Sequence, residues 1–216
     1  MGIKTYSLTT SQRVADFAGL GTLTGTKLTI MDRLVDQVTE VIEKYLGYRV
    51  QETTYTNEEY DTEVAEILLL KNFPVSTTAT FALHRRTSAL NEDDWDTIDS
   101  QYYHIDYASG IIQTANGIQF AHTKKGYRVT YTAGFDFDNS ATFLSDTAGG
   151  DIELAAWMMI APLWDRRRGG FGIESEAIGD YRVKYRRTIF ENEEVKNLLD
   201  KYARQDEFGV ITPYQG

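Results

Sequence analysis

The residues most capable of chemistry in this 216-residue chain are a glycine cluster, an aspartate cluster, three histidines, an acidic run and an arginine triplet. Gly19-Leu20-Gly21-Thr22-Leu23-Thr24-Gly25 misses the spacing of a dinucleotide-binding loop by one residue. It also lies between two predicted helices instead of after a strand, so the geometry that cradles a pyrophosphate is missing and a helix–helix turn is expected. Asp136-Phe137-Asp138-Asn139-Ser140 spaces oxygen ligands as a calcium loop does, but without the glycine at the sixth position and the closing glutamate. It reads as a solvated linker. His84, His104 and His122 are the only histidines, and no two stand four apart to hold zinc from one helix face. No serine sits in a G-x-S-x-G elbow, and with no cysteine there is no thiolate nucleophile or ligand.

Two further groups concern recognition. Glu92, Asp93, Asp94, Asp96 and Asp99 could supply the paired carboxylates of a glycosidase, with Trp95, Tyr102, Tyr103 and Tyr107 stacking on sugars. A charge run in a loop more often solvates a face, and aromatics in short strands more often fill a core. Arg166-Arg167-Arg168 closes a helix with more cations than its dipole needs. Guanidinium groups pair bidentately with carboxylates or phosphates, so an inter-subunit contact competes with simple capping. No enzyme activity, cofactor or metal is expected from these residues.

The net charge of −10 makes the whole surface a poor wrapper of nucleic acid. The positive charge gathers at residues 151–187, in the arginine triplet and in Arg182, Lys184, Arg186 and Arg187. The absence of cysteine suits a reducing cytoplasm. No apolar leader follows Met1, and the run Ile152–Trp164 is interrupted by Glu153 and too short to span a bilayer. No membrane partner is expected.

The elements that hold these residues follow from periodicity. A short helix capped near Thr9-Thr10-Ser11 should run to Phe17. A second should open at Thr24 or Thr26, with Leu28, Met31, Leu34, Val35, Val38, Val41, Ile42 and Leu46 in one stripe and Gly47 closing it. From Val50 to Thr132 short runs rich in Thr, Val, Ile and Tyr predict strands at 51–56, 66–70, 75–84, 95–98, 102–106, 110–113 and 127–133. A helix capped by Asp151, apolar nearly all round, should reach Arg168 and kink at Pro162. Residues 181–185 alternate as a strand, and 192–204 form a last helix. The fold class is therefore α+β. N- and C-terminal helices, 1–50 and 150–205, pack together because neither has enough apolar surface alone. A mostly antiparallel β module with a linker, 51–149, is inserted between them, and 206–216 extends as a C-terminal tail.

Several segments occur in a telling order: Tyr45-Leu46-Gly47-Tyr48-Arg49-Val50, Leu68-Leu69-Leu70-Lys71-Asn72-Phe73-Pro74-Val75, Tyr107-Ala108-Ser109-Gly110-Ile111-Ile112, Tyr127–Phe135, and Glu174-Ser175-Glu176-Ala177-Ile178-Gly179-Asp180-Tyr181. This set resembles the head–tail connector, or adaptor, family of tailed bacteriophages and prophages. The large β module departs from the shorter, nearly all-helical members. The resemblance implies a structural virion protein at the head–tail interface, made in the host cytoplasm. It implies a ring, usually a dodecamer, beneath the portal protein. That ring extends the channel for double-stranded DNA without reading its sequence and offers a landing surface to the stopper or tail. Portal binding would fall to the tail residues Phe208, Val210, Ile211 and Tyr214, and the ring interface to Trp157, Trp164, Arg166, Arg167 and Arg168. The competing readings are another neck or tail completion protein, and a carbohydrate-binding protein that uses the β module.

Overall fold

A computed structural model describes residues 7–62, 66–87, 94–121, 124–137, 148–169, 175–178, 181–184 and 192–203; at 148, 166–169, 175–178 and 181–184 it describes the main chain. The chain divides into two compact units, Met1–Gly47 with Phe137–Gly216, and Tyr48–Asp136.

In the first unit, helix α1 (Ser11–Phe17) starts where the Thr10 Oγ1 accepts the Arg13 N–H at 3.3 Å. Helix α2 (Gly25–Leu46) buries Met31, Val35, Val38, Ile42 and Leu46 at spacings of three and four, the stripe expected of its sequence. Leu28 departs from it: in the first turn of the helix, it lies 37% exposed. Gly47 ends the helix at φ 82°, a left-handed conformation that costs glycine little.

Helix α3 (Ala148–Gly169) begins one residue short of a full turn before Asp151, so Asp151 is a first-turn residue and not the cap. There a carboxylate still favours the helix dipole, and it accepts hydrogen bonds from Lys201 Nζ at 3.0 Å and Tyr202 OH at 3.2 Å. The helix continues through Pro162, which lies on its exposed side. Helix α4 (Glu193–Asp200) is capped by Asn192 Oδ1, which accepts from Glu194 N, and ends earlier than expected. Its Val195 and Leu199 are buried. Both α2 and α4 pack on α3, and α1 packs on α2 and α3. The helices from the two ends of the chain thus share one core.

The same unit holds a hairpin, β8 (Ser175–Ile178) with β9 (Tyr181–Lys184), paired from Ser175↔Lys184 to Ile178↔Tyr181.

The second unit contains strands β1 (Thr53–Tyr60), β2 (Ile67–Leu69), β3 (Ala82–Arg86), β4 (Trp95–Thr97), β5 (Tyr103–Asp106), β6 (Ile111–Thr114) and β7 (Tyr127–Ala133). They form two antiparallel sheets, in order β1-β7-β3-β4 and β2-β6-β5. Central β7 alternates strictly, burying Tyr127, Val129, Tyr131 and Ala133. With Tyr60, Leu68, Leu83, Ile112 and Phe120 these side chains make the core of the unit.

Two strand expectations shift. Of the predicted strand 75–84 only Ala82–His84 is strand, as the start of β3: Val75 bridges Ala133 and Ala82 pairs with Thr130, so the seven steps from Val75 to Ala82 face only three on β7 and the residues between cannot all join the ladder. The first strand runs on to Tyr60 because a bulge absorbs the register change between Tyr55 and Glu58. Asn57 takes φ 53° there, and its N–H meets Thr130 Oγ1 at 3.0 Å.

Among the described residues no helix is long and apolar enough to cross a membrane.

Candidate assembly surfaces

Among the described residues, most of those that could have done chemistry are engaged in structure. Gly19, Gly21 and Gly25 join α1 to α2 with φ between 58° and 67°, which explains the glycines by backbone conformation alone. His84 Nδ1 lies 3.1 Å from Thr97 Oγ1 across β3 and β4, and His104 stands exposed on β5; His122 lies outside the described residues. No group of His, Asp and Glu among the described residues could hold a metal. In the acidic run, Asp96 faces Arg85 at 3.8 Å and Asp99 Oδ1 accepts from Gln101 N, closing a 3-10 turn. Glu92 and Asp93, like the centre of the aspartate cluster at 138–140, lie outside the described residues.

Trp95 does not offer a sugar platform. The Arg128 guanidinium lies 4.1 Å from its ring centroid and that of Arg86 lies 5.0 Å away. Arg128 in turn binds Glu59 at 3.1 Å, and Lys125 adds a second cation at 3.5 Å. The Arg128 hydrogen bond, followed by Lys125, holds the Glu59 carboxyl below its usual range. Strand pairing Glu59↔Arg128↔His84↔Thr97 sets these groups in one row across the sheet.

Two buried polar networks fix the units internally. Glu58 Oε2 accepts from the hydroxyls of Tyr60 at 2.5 Å and Tyr131 at 2.7 Å, which stand 2.8 Å from each other. Asn72 Nδ2 reaches Tyr131 at 3.4 Å and Lys71 N reaches Tyr60 at 3.2 Å. Burial, above all, pushes both phenols well above the usual tyrosine range. In the helical unit, Glu153 Oε1 accepts from Thr9 Oγ1 at 2.7 Å and from Arg13 at 3.1 Å, and the Trp157 indole N–H donates to Thr9 Oγ1 at 2.8 Å. Tyr45 donates to Asp200, joining α2 to the end of α4; burial and then this bond push its hydroxyl up to about 12.

The proposed interface residues separate. Trp157 and Trp164 are buried in the chain's own core, at 3% and 1% exposure. The stripe that α3 leaves partly open is instead Leu154, Met158 and Ala161, three and four residues apart. Arg166, Arg167 and Arg168 occupy the last turn of α3, and their side chains lie outside the described residues. So do Phe208, Val210, Ile211 and Tyr214. The sequence reading did not mark Phe17 and Leu69 as exposed apolar residues, and it set Leu28, also exposed, in the apolar stripe. Leu69 sits in an unbroken apolar run, where periodicity cannot say which residue faces out.

A family model described as head completion protein matches residues 7–205. Three solved chains share the fold. One is in the neck of an empty GTA particle computed with C6 symmetry, with 15% identity, 98% of each chain covered and a TM-score of 0.55. Another is in the neck of a native GTA particle computed with C12 symmetry, with 15% identity, 93% and 91% coverage and a TM-score of 0.53. A third is in the virion of a native gene transfer agent particle, with 16% identity, 98% and 97% coverage and a TM-score of 0.54. No curated protein matches the chain. With the family model spanning both units, the chain belongs to the head completion protein family and is a structural virion protein, not an enzyme.

Proposed function

We propose that this protein is a head–tail connector: copies form a ring, a dodecamer, beneath the portal, extend the DNA channel and dock the stopper or tail. The observation that carries this reading is the fold shared over nearly the whole chain with subunits of necks computed with C6 and C12 symmetry. A closed ring needs two different complementary faces on each copy. The Arg166–Arg168 turn and the acidic remainder of the surface are a pair of opposite sign. The net charge of −10 suits a channel wall that lets DNA slide without holding it. The tail residues Phe208, Val210, Ile211 and Tyr214 supply an apolar segment that orders on the portal.

The test is the native mass of the complex formed with the portal protein encoded beside this chain. A portal carrying a full ring of copies is expected, and loss of that complex when residues 206–216 are removed. An intact portal that takes up no copies refutes the reading in favour of a completion protein that binds on the tail side.

A further inference from the structure

We propose that the free edge of β2 is a joint between neighbouring copies and that β9 of the next copy occupies it; this rests on the ring reading above. Natural sheets protect their edges. Of the four edge strands in the β unit, β1 carries the Asn57 bulge with Glu58 and Glu59, β4 carries Asp96, and β5 carries His104 and Asp106. Strand β2, Ile67-Leu68-Leu69, has no charge, bulge or proline. Its bonds to β6 run from Leu70 N to Gly110 O at 2.9 Å and from Thr114 N to Glu66 O at 3.0 Å. The antiparallel alternation therefore turns the main-chain groups of Ile67 and Leu69 outward. Leu69 is 53% exposed.

The occupant follows from a second incomplete sheet. The β8–β9 hairpin pairs with no third strand among the described residues, and two strands alone are marginal in water. The sequence of β9 alternates Tyr181 and Val183 with Arg182 and Lys184, a strand pattern with a cationic set. Glu66, at the mouth of the β2 edge, makes no ion pair among the described residues. An uncharged edge with an acid at its end and a basic strand lacking a neighbour are complementary in hydrogen bonding and in charge.

The test uses rings assembled on purified portal from an equal mixture of ordinary and heavy-isotope copies, coupled with a zero-length carbodiimide and analysed by mass spectrometry. A Glu66–Lys184 link joining light and heavy copies is expected. Rings without that link, or with links only inside single copies, overturn the joint while leaving the connector standing. Failure of the wild-type chain to form rings on intact portal defeats the connector reading and the joint with it. Leu69→Pro removes an N–H that no internal ladder bond uses. It should raise the concentration for half-assembly about tenfold, the loss of roughly one main-chain bond per joint, while the melting curve stays in place. Unchanged assembly overturns the proposal. As a check independent of proline, Glu66→Lys and Lys184→Glu should each weaken assembly and together restore it; no rescue counts against the joint.

Discussion

Replacing Thr9 by valine should cost about as much as any single polar change in the helical unit. Thr9 is 3% exposed, and its hydroxyl stands between the Trp157 indole N–H at 2.8 Å and the Glu153 carboxylate at 2.7 Å, linking residues 144 positions apart. Valine keeps the volume and deletes both bonds. Losing the acceptor that a buried N–H uses costs about 1–3 kcal/mol, and a bond to a charged group is worth about 1.5–3 kcal/mol. The two losses share one oxygen and overlap, and Glu153 keeps the Arg13 guanidinium at 3.1 Å. The expected cost is therefore about 3 kcal/mol. Urea unfolding followed by tryptophan emission would read it as a lower midpoint at unchanged slope. Thr9→Ser, which retains both bonds, should fall within about 1 kcal/mol of wild type. A double-mutant cycle with Glu153→Gln should give a non-zero coupling, because the two groups touch. A valine variant within about 0.5 kcal/mol of wild type would refute the claim that this relay holds the two ends of the chain together.

Two other outcomes concern the β unit. Gly134 has φ 112°, and a Cβ there would lie 2.6 Å from Gln51 C and 2.7 Å from Glu52 N, both main-chain atoms; Gly134→Ala should lose about 3 kcal/mol in a denaturant melt of the unit. Glu59, held below its usual range by Arg128 and Lys125, contributes stability that is present above the unfolded carboxyl value of about 4.3 and is lost as pH falls through the lower folded value. Amide exchange in β7 should therefore quicken as pH drops below about 4, after correction for intrinsic rates, and Glu59→Gln should flatten that part of the profile. An unchanged profile in the variant would remove Glu59 from the account.

What the sequence disclosed was chiefly local. Thr10 caps α1, Gly47 turns left-handed after α2, and β7 alternates, because each depends on near neighbours in the chain. The Asn57 bulge was not legible: it needs Thr130 opposite to take its N–H, 73 residues away. Trp95 was equally opaque. With three tyrosines and five carboxylates near it in sequence it suggested a sugar platform, and only the pairing of β3 with both β4 and β7 brings Arg86 and Arg128 to its ring.

Strand order also explains why assembly surfaces resist reading from sequence. Strand β7 comes last in the β unit yet lies between β1 and β3, so the last strand in sequence is central and the first two, β1 and β2, are edges. An edge belongs to the order of strands, not to the composition of any one of them. Helix α3 makes the same point from the other direction. Apolar nearly all round, it invites a neighbouring chain to cover it, yet α1, α2 and α4 of its own chain pack on it and both Trp157 and Trp164 are buried. Among the described apolar residues of this helix, what those three leave open to a second copy is the Leu154–Met158–Ala161 stripe with Pro162 and Leu163, a small strip and not the two buried tryptophans.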